Sequence, residues 1–260
     1  PAARAADPAP DPLRFVPAKA QFFVKVERPR ALAEAITGLD AVKAAPTLGP
    51  VRDVLDTPAV RRGLQLLGYV ERELGAKWPQ LLDQLAGGGA VVAGTLGEGE
   101  QPVLLVVQGT SEPAVRKAFD LLVRAIDDEL TRQGGTERVV RGTQAGADTA
   151  RLGKDFHTAR AGAALLISNR AEPLAAALKQ PADRAGSLAA KPAVTAARAA
   201  LPADPLAWVW LDFAAVRTTP ATRDFLESAR TNAFFQMIFG GTLTVLRQSD
   251  YVAVGVSREG

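Results

Sequence analysis

Leu104-Leu105-Val106-Val107-Gln108-Gly109-Thr110-Ser111-Glu112-Pro113 is followed, sixty residues later, by Ala164-Leu165-Leu166-Ile167-Ser168-Asn169-Arg170-Ala171-Glu172-Pro173. Each stretch is an apolar run, a short polar turn and a Glu-Pro pair. Short aliphatic runs bounded by turn formers read as strands. Proline suits the first turn of a helix, where its missing N–H would have no partner. Residues 22–29 are a looser copy of the same pattern. Two readings explain the recurrence. One is a duplicated β-hairpin-plus-helix unit, with pseudo-repeat halves at about 13–135 and 136–260. The other is the general frequency of strand–turn–helix, with Glu-Pro as a common helix start.

Working outward, residues 90–96 and 103–108 form a hairpin across Gly97-Glu98-Gly99-Glu100. Further strands are predicted at 20–27, 137–143, 148–153, 155–161, 163–168, 206–213 and 251–256. In the first, Phe22, Val24 and Val26 share one face, and Phe23, Lys25 and Glu27 the other. Helical stripes fill the intervals. Val60, Leu64, Leu67, Val70 and Leu74 step by three and four; so do Val115, Phe119, Leu122, Val123, Ile126 and Leu130. Residues 78–85, 187–201 and 221–247 also read as helical, the last broken near Gly240-Gly241. The expected fold is α+β: a large, mostly antiparallel sheet with helices packed on one face.

Composition limits the chemistry. The 260 residues carry 47% hydrophobic and 23% charged side chains, an ordinary globular balance. There is no cysteine, which excludes thiolate zinc sites, thiol nucleophiles and disulfides. Net charge is +3, and no run of Lys or Arg exceeds two residues, so nucleic acid is not an expected partner. No apolar run reaches the ~18 residues of a membrane span. Ala3-Arg4-Ala5 reads as a small-x-small cleavage site, and the proline-rich stretch to Pro12 as a spacer. Residues 1–12 are therefore expected to be a signal-peptide remnant and spacer, loosely attached to a single domain at 13–260; a plain inter-domain linker is the alternative.

Candidate residues are few. His157, the only imidazole, shares strand parity with Asp155, the spacing of an oriented base or of two metal ligands. No Gly-x-Ser-x-Gly turn and no second histidine accompany it, so a polar pair on a solvated strand face is the expectation. Gly87-Gly88-Gly89 follows a helix and precedes a strand, the reverse of a phosphate loop, and suits a helix end. Asp127-Asp128-Glu129 and Glu71/Glu73 read as solvated helix surface. Trp208 and Trp210 share one strand face and either line an apolar surface or belong to the core. Residues 233–246 are the most apolar stretch, and Phe234, Phe235, Ile238 and Phe239 offer apolar side chains to a core, a partner or a ligand. No cofactor is expected.

Three stretches carry a family resemblance: Phe15-Val16-Pro17-Ala18-Lys19-Ala20-Gln21-Phe22-Phe23-Val24; Leu165-Leu166-Ile167-Ser168 with the helix at Pro173; and Ser187-Leu188-Ala189 through Leu201-Pro202-Ala203-Asp204 into Trp208-Val209-Trp210. In these the chain resembles an uncharacterised family of large exported bacterial proteins of planctomycete type. The resemblance implies an envelope location and a longer precursor; it implies no reaction and no site residues. The expected function is a non-enzymatic envelope or periplasmic binding or scaffold module. Its partner would be another protein or a C-terminal half of the same protein. The alternatives are a carrier of an apolar small molecule or lipid under the 221–247 helices, and a hydrolase with an unrecognised carboxylate site.

Overall fold

Alternation along the central strands sets the layers. β3 (Val103–Gln108) buries Leu104, Val106 and Gln108, and β7 (Ala164–Ser168) buries Ala164, Leu166 and Ser168. In this computed structural model, which describes residues 9–40, 57, 67–97, 99–179, 186–231, 237, 241, 245 and 248–258, the two strands are antiparallel neighbours. The other strands are β1 (Phe22–Val26), β2 (Ala90–Gly94), β4 (Val140–Gln144), β5 (Ala147–Leu152), β6 (Phe156–Ala161), β8 (Ala207–Leu211) and β9 (Val252–Val256). All nine form one antiparallel sheet in the order β4-β5-β6-β7-β3-β2-β1-β8-β9.

The sixty-residue recurrence acquires a geometric meaning here. Val106 lies directly opposite Leu166, and these are also equivalent positions of the two matching stretches. A local two-fold axis therefore passes between them. It relates β3 to β7 and β2 to β6. The strand ends obey it: Ser168 Oγ donates to the Val103 carbonyl at 2.8 Å, and Gln108 Nε2 reaches the Ala163 carbonyl at 3.4 Å. Val103 and Ala163 are again sixty residues apart.

The helices do not follow that symmetry. α1 (Pro29–Gly38) and α2 (Trp78–Ala86) pack together, and α2 also meets β3. α3 (Glu112–Arg132) is capped by Ser111 Oγ, which accepts from the Ala114 amide. It ends where Gly134 takes φ +70, a conformation that costs glycine little. Phe119 and Val123 of α3 pack on Ala150 and Leu165. Leu165 points to the opposite face from Leu166, because strand side chains alternate. α4 (Ala171–Lys179) and α5 (Pro192–Ala200) instead pack Leu174, Ala177, Leu178, Val194 and Ala197 on the face holding Leu166, Val106, Phe23, Trp208 and Trp210. Helices thus lie on both faces of the sheet. Whether the chain after each central strand turns to one face or the other is decided by which apolar stripe finds room, which the local sequence does not encode. α6 (Phe213–Val216) and α7 (Pro220–Thr231) precede β9.

The N-terminal segment differs from the expected loose spacer over its described part. Asp11 caps the 3-10 turn Pro12–Phe15 through the Leu13 amide, 2.8 Å. Leu13, Phe15 and Val16 are buried in the main core. Pro10 and Pro12 restrict the backbone to conformations that feed this turn. Residues 1–8 lie outside the described part of the structure, as do Val60 and Leu64 of the predicted stripe at 57–74 and most of the apolar stretch at 233–246; the rest of the stripe, Leu67, Val70 and Leu74, lies in helix as expected.

Candidate functional site

β1 shows the least expected placement of a side chain. Parity puts Phe23 and Lys25 on the same side of the strand, and that side is the core: Phe23 is 0% and Lys25 3% exposed. An ammonium group taken from water needs compensating charge and hydrogen bonds. Lys25 Nζ finds Asp11 Oδ2 at 2.8 Å and Glu27 Oε2 at 2.9 Å. Glu27 Oε1 in turn accepts from Trp208 Nε1 at 2.8 Å, and Arg198 Nε stands 3.9 Å from it. Arg198 is itself held by the carbonyls of Pro202 and Ala203 beyond the end of α5. Two cations and two carboxylates thus converge, with no net charge, from three segments distant in sequence: the N-terminal turn, β1 with the residue after it, and α5.

These groups line a recess of about 560 Å³ whose walls include Leu13, Ala189, Val194 and Trp208. A neighbouring recess of about 330 Å³ shares Asp11 and Ala189 with it. The chemistry is that of a lock. Both carboxylates are engaged by cations, and Lys25 is engaged by both carboxylates. The cluster ties the N-terminal turn to β1, and β1 to β8 and α5.

The second feature is the opposite face. Register aligns Leu105, Val92, Val24, Val209 and Val254 in one row across β3, β2, β1, β8 and β9. At the other end of the same row, beneath α3, Thr158 is 0% exposed. Beyond the reach of α3 the row opens: Val92 is 36%, Val24 42%, Val209 40% and Val254 58% exposed. The flanking rows are Val103-Gly94-Phe22-Leu211-Val252 and Val107-Ala90-Val26-Ala207-Val256. Among the described residues, these three rows carry no charged or polar side chain. A contiguous apolar patch of this kind marks a contact surface more often than scattered exposed valines do.

The residues singled out by sequence fall as follows. Trp208 and Trp210 are 2% and 0% exposed and belong to the core, not to a surface; Phe23 meets Trp208 edge-on at 4.6 Å and stacks on Trp210 at 5.9 Å. Phe234, Phe235, Ile238 and Phe239 lie outside the described residues; Met237 and Val245, which are described, are exposed. His157 is buried, not on a solvated face, with Nε2 2.9 Å from the Lys154 carbonyl. Asp155 precedes β6 and pairs with Arg170 at 3.0 Å, so no Asp–His pair forms. Gly87-Gly88-Gly89 closes α2 and reverses into β2, with Gly89 at φ +98. Among the described residues, no group of three or more His, Asp or Glu is placed to hold a metal ion.

Asp11 and Lys25 were not singled out by sequence, because one sat in a proline-rich stretch and the other read as an alternating strand residue. The available signal was parity: a lysine on the same strand face as Phe23 requires a counter-ion if that face is buried. Glu71 is a further engaged carboxylate. Lys77 Nζ at 2.9 Å, and then the Trp78 amide at 2.8 Å, hold it below the usual carboxylate range.

Comparison of the chain with protein-family models, with curated proteins and with solved structures finds no match in any of the three. No helix among the described residues is long and apolar enough to cross a membrane.

Proposed function

We propose that this chain is a non-enzymatic binding or scaffold module that operates after export, in the periplasm or on the envelope. The observation that carries the binding reading is the uncovered apolar row Val92, Val24, Val209 and Val254. A rigid sheet presents it, so little conformational entropy is lost when the surface is covered. The engaged state of Asp11 and Glu27 supports a structural role for the most concentrated charge cluster. The export reading rests on the small-x-small stretch at Ala3-Arg4-Ala5 and on the resemblance to exported bacterial proteins.

The test uses an apolar fluorescent probe, anilinonaphthalene sulfonate, on the folded chain. Native protein enhances its emission, while Val24→Lys and Val209→Lys, changes at exposed positions, lose most of the enhancement at unchanged circular dichroism. Native protein that leaves the probe dark, or variants that bind it as well as the parent, would end the surface-binding reading. N-terminal sequencing of the protein from its host tests export, with cleavage expected near Ala5-Ala6.

A further inference from the structure

We infer that β9 is a docking edge for a second copy of this chain, with β9 pairing antiparallel to its symmetry mate about a two-fold axis at Val254. The inference deepens the binding reading by naming the partner.

Three observations carry it. β9 is the terminal strand of the sheet among the described residues, and nothing in its sequence protects it. Natural edge strands are blunted by lysine, proline, inward charges or bulges. Val252-Ala253-Val254-Gly255-Val256 has none of these. The opposite edge is managed differently: β4 is Val140-Arg141-Gly142-Thr143-Gln144, with Arg141 ion-paired to Asp120 at 2.9 Å.

The strand is also self-complementary, which an isologous contact requires and a contact with an unrelated strand does not. Two-fold pairing at Val254 sets Val254 against itself and Val252 against Val256 of the second copy. On the other face it sets Ala253 against Gly255, small against small. Ala253 packs against the core, and Gly255 lies under Leu201, so that face has no room for larger partners. The valine face continues across the junction in the same plane, since a two-fold axis normal to the sheet preserves its faces.

The third observation is charge. The same register brings Asp250 opposite Arg258 of the second copy, and the symmetry repeats the pair. Both residues are exposed, and among the described residues neither has an ion-pair partner. Opposite charges across a strand pair favour the register, and like charges oppose it.

The absence of cysteine from the chain makes the test clean. Residues directly opposite in an antiparallel pair have Cα atoms about 4.5–5.5 Å apart, within the ~4.4–6.8 Å range that a disulfide spans. The 260-residue chain carrying Val254→Cys is therefore expected to form a disulfide-linked dimer under mild oxidation. Val252→Cys alone is expected not to, because its copies stand about 13 Å apart along the strand. A mixture of Val252→Cys with Val256→Cys is expected to cross-link. In the Val254→Cys background, Asp250→Arg or Arg258→Asp should weaken association about tenfold. The double exchange should restore it.

No dimer from Val254→Cys, or equal trapping of Val252→Cys alone, overturns the pairing. Charge exchanges without effect, or a double exchange that fails to restore trapping, overturn it as well. These outcomes leave probe binding at Val24 and Val209 untouched, so failure of the dimer and failure of the binding reading are separable.

Discussion

Glu27 is the hub of the buried charge cluster, and its removal should be among the costlier single changes in the described part of the molecule. Glu27→Ala deletes the acceptor of Trp208 Nε1, on an indole only 2% exposed. A buried donor left without a partner costs about 1–3 kcal/mol. The same change deletes one of the two carboxylates on Lys25, and a hydrogen bond to a charged group is worth about 1.5–3 kcal/mol. Asp11 still neutralises Lys25, which keeps the loss below that of a fully orphaned ion. The sum is about 2.5–6 kcal/mol, a substantial part of the ~5–15 kcal/mol that stabilises an ordinary domain. Glu27→Gln keeps an oxygen for the indole and loses only the charge, so it should cost about 1–2 kcal/mol. Urea unfolding followed by tryptophan fluorescence measures both. Introducing Glu27→Ala into Trp208→Phe, which has no donor to strand, should recover about 1–3 kcal/mol of the penalty. The reasoning is refuted if Glu27→Ala lies within 1 kcal/mol of the parent, or if Gln costs as much as Ala.

Two further outcomes follow from local geometry. A Cβ on Gly109 would stand 2.6 Å from the Gln84 carbonyl oxygen and 2.6 Å from Val115 Cγ2, so Gly109→Ala should destabilise by about 1–3 kcal/mol in the same unfolding assay, as overpacking does. Glu71, lowered by Lys77 and Trp78, stabilises the junction before α2 above the ordinary carboxylate range, and that contribution is lost as pH falls through its depressed folded value. Carboxyl-carbon NMR titration should find Glu71 titrating below the exposed glutamates, and Lys77→Ala should move it upward.

Strand positions were legible because their signal is local. The runs around Val106 and Leu166 are aliphatic, end in turn formers and precede a proline, and each of those cues acts within a few residues. The end of α2 at Gly87 was legible for the same reason. The fates of Trp208, Trp210 and His157 were not, since a strand with side chains alternating between two faces does not say which face will be covered. His157 is buried because β6 lies inside the sheet and α4 packs over it. Asp155 turns to Arg170 because β6 begins one residue later than parity from 155 assumes.

By itself, then, the sequence determined the α+β class, the antiparallel hairpins, the helix starts and the absence of thiol chemistry, all of which depend on periodicity, turn chemistry or composition. Only the tertiary structure decided that Lys25 faces inward, that Asp11 leaves an apparent spacer to neutralise it, and that helices occupy both sheet faces. It alone aligned four exposed valines in one row toward a bare edge. The physical reason is that burial and register are properties of pairs of elements: Asp11, Lys25, Glu27, Arg198 and Trp208 become neighbours only when β1, β8, α5 and the N-terminal turn have already packed.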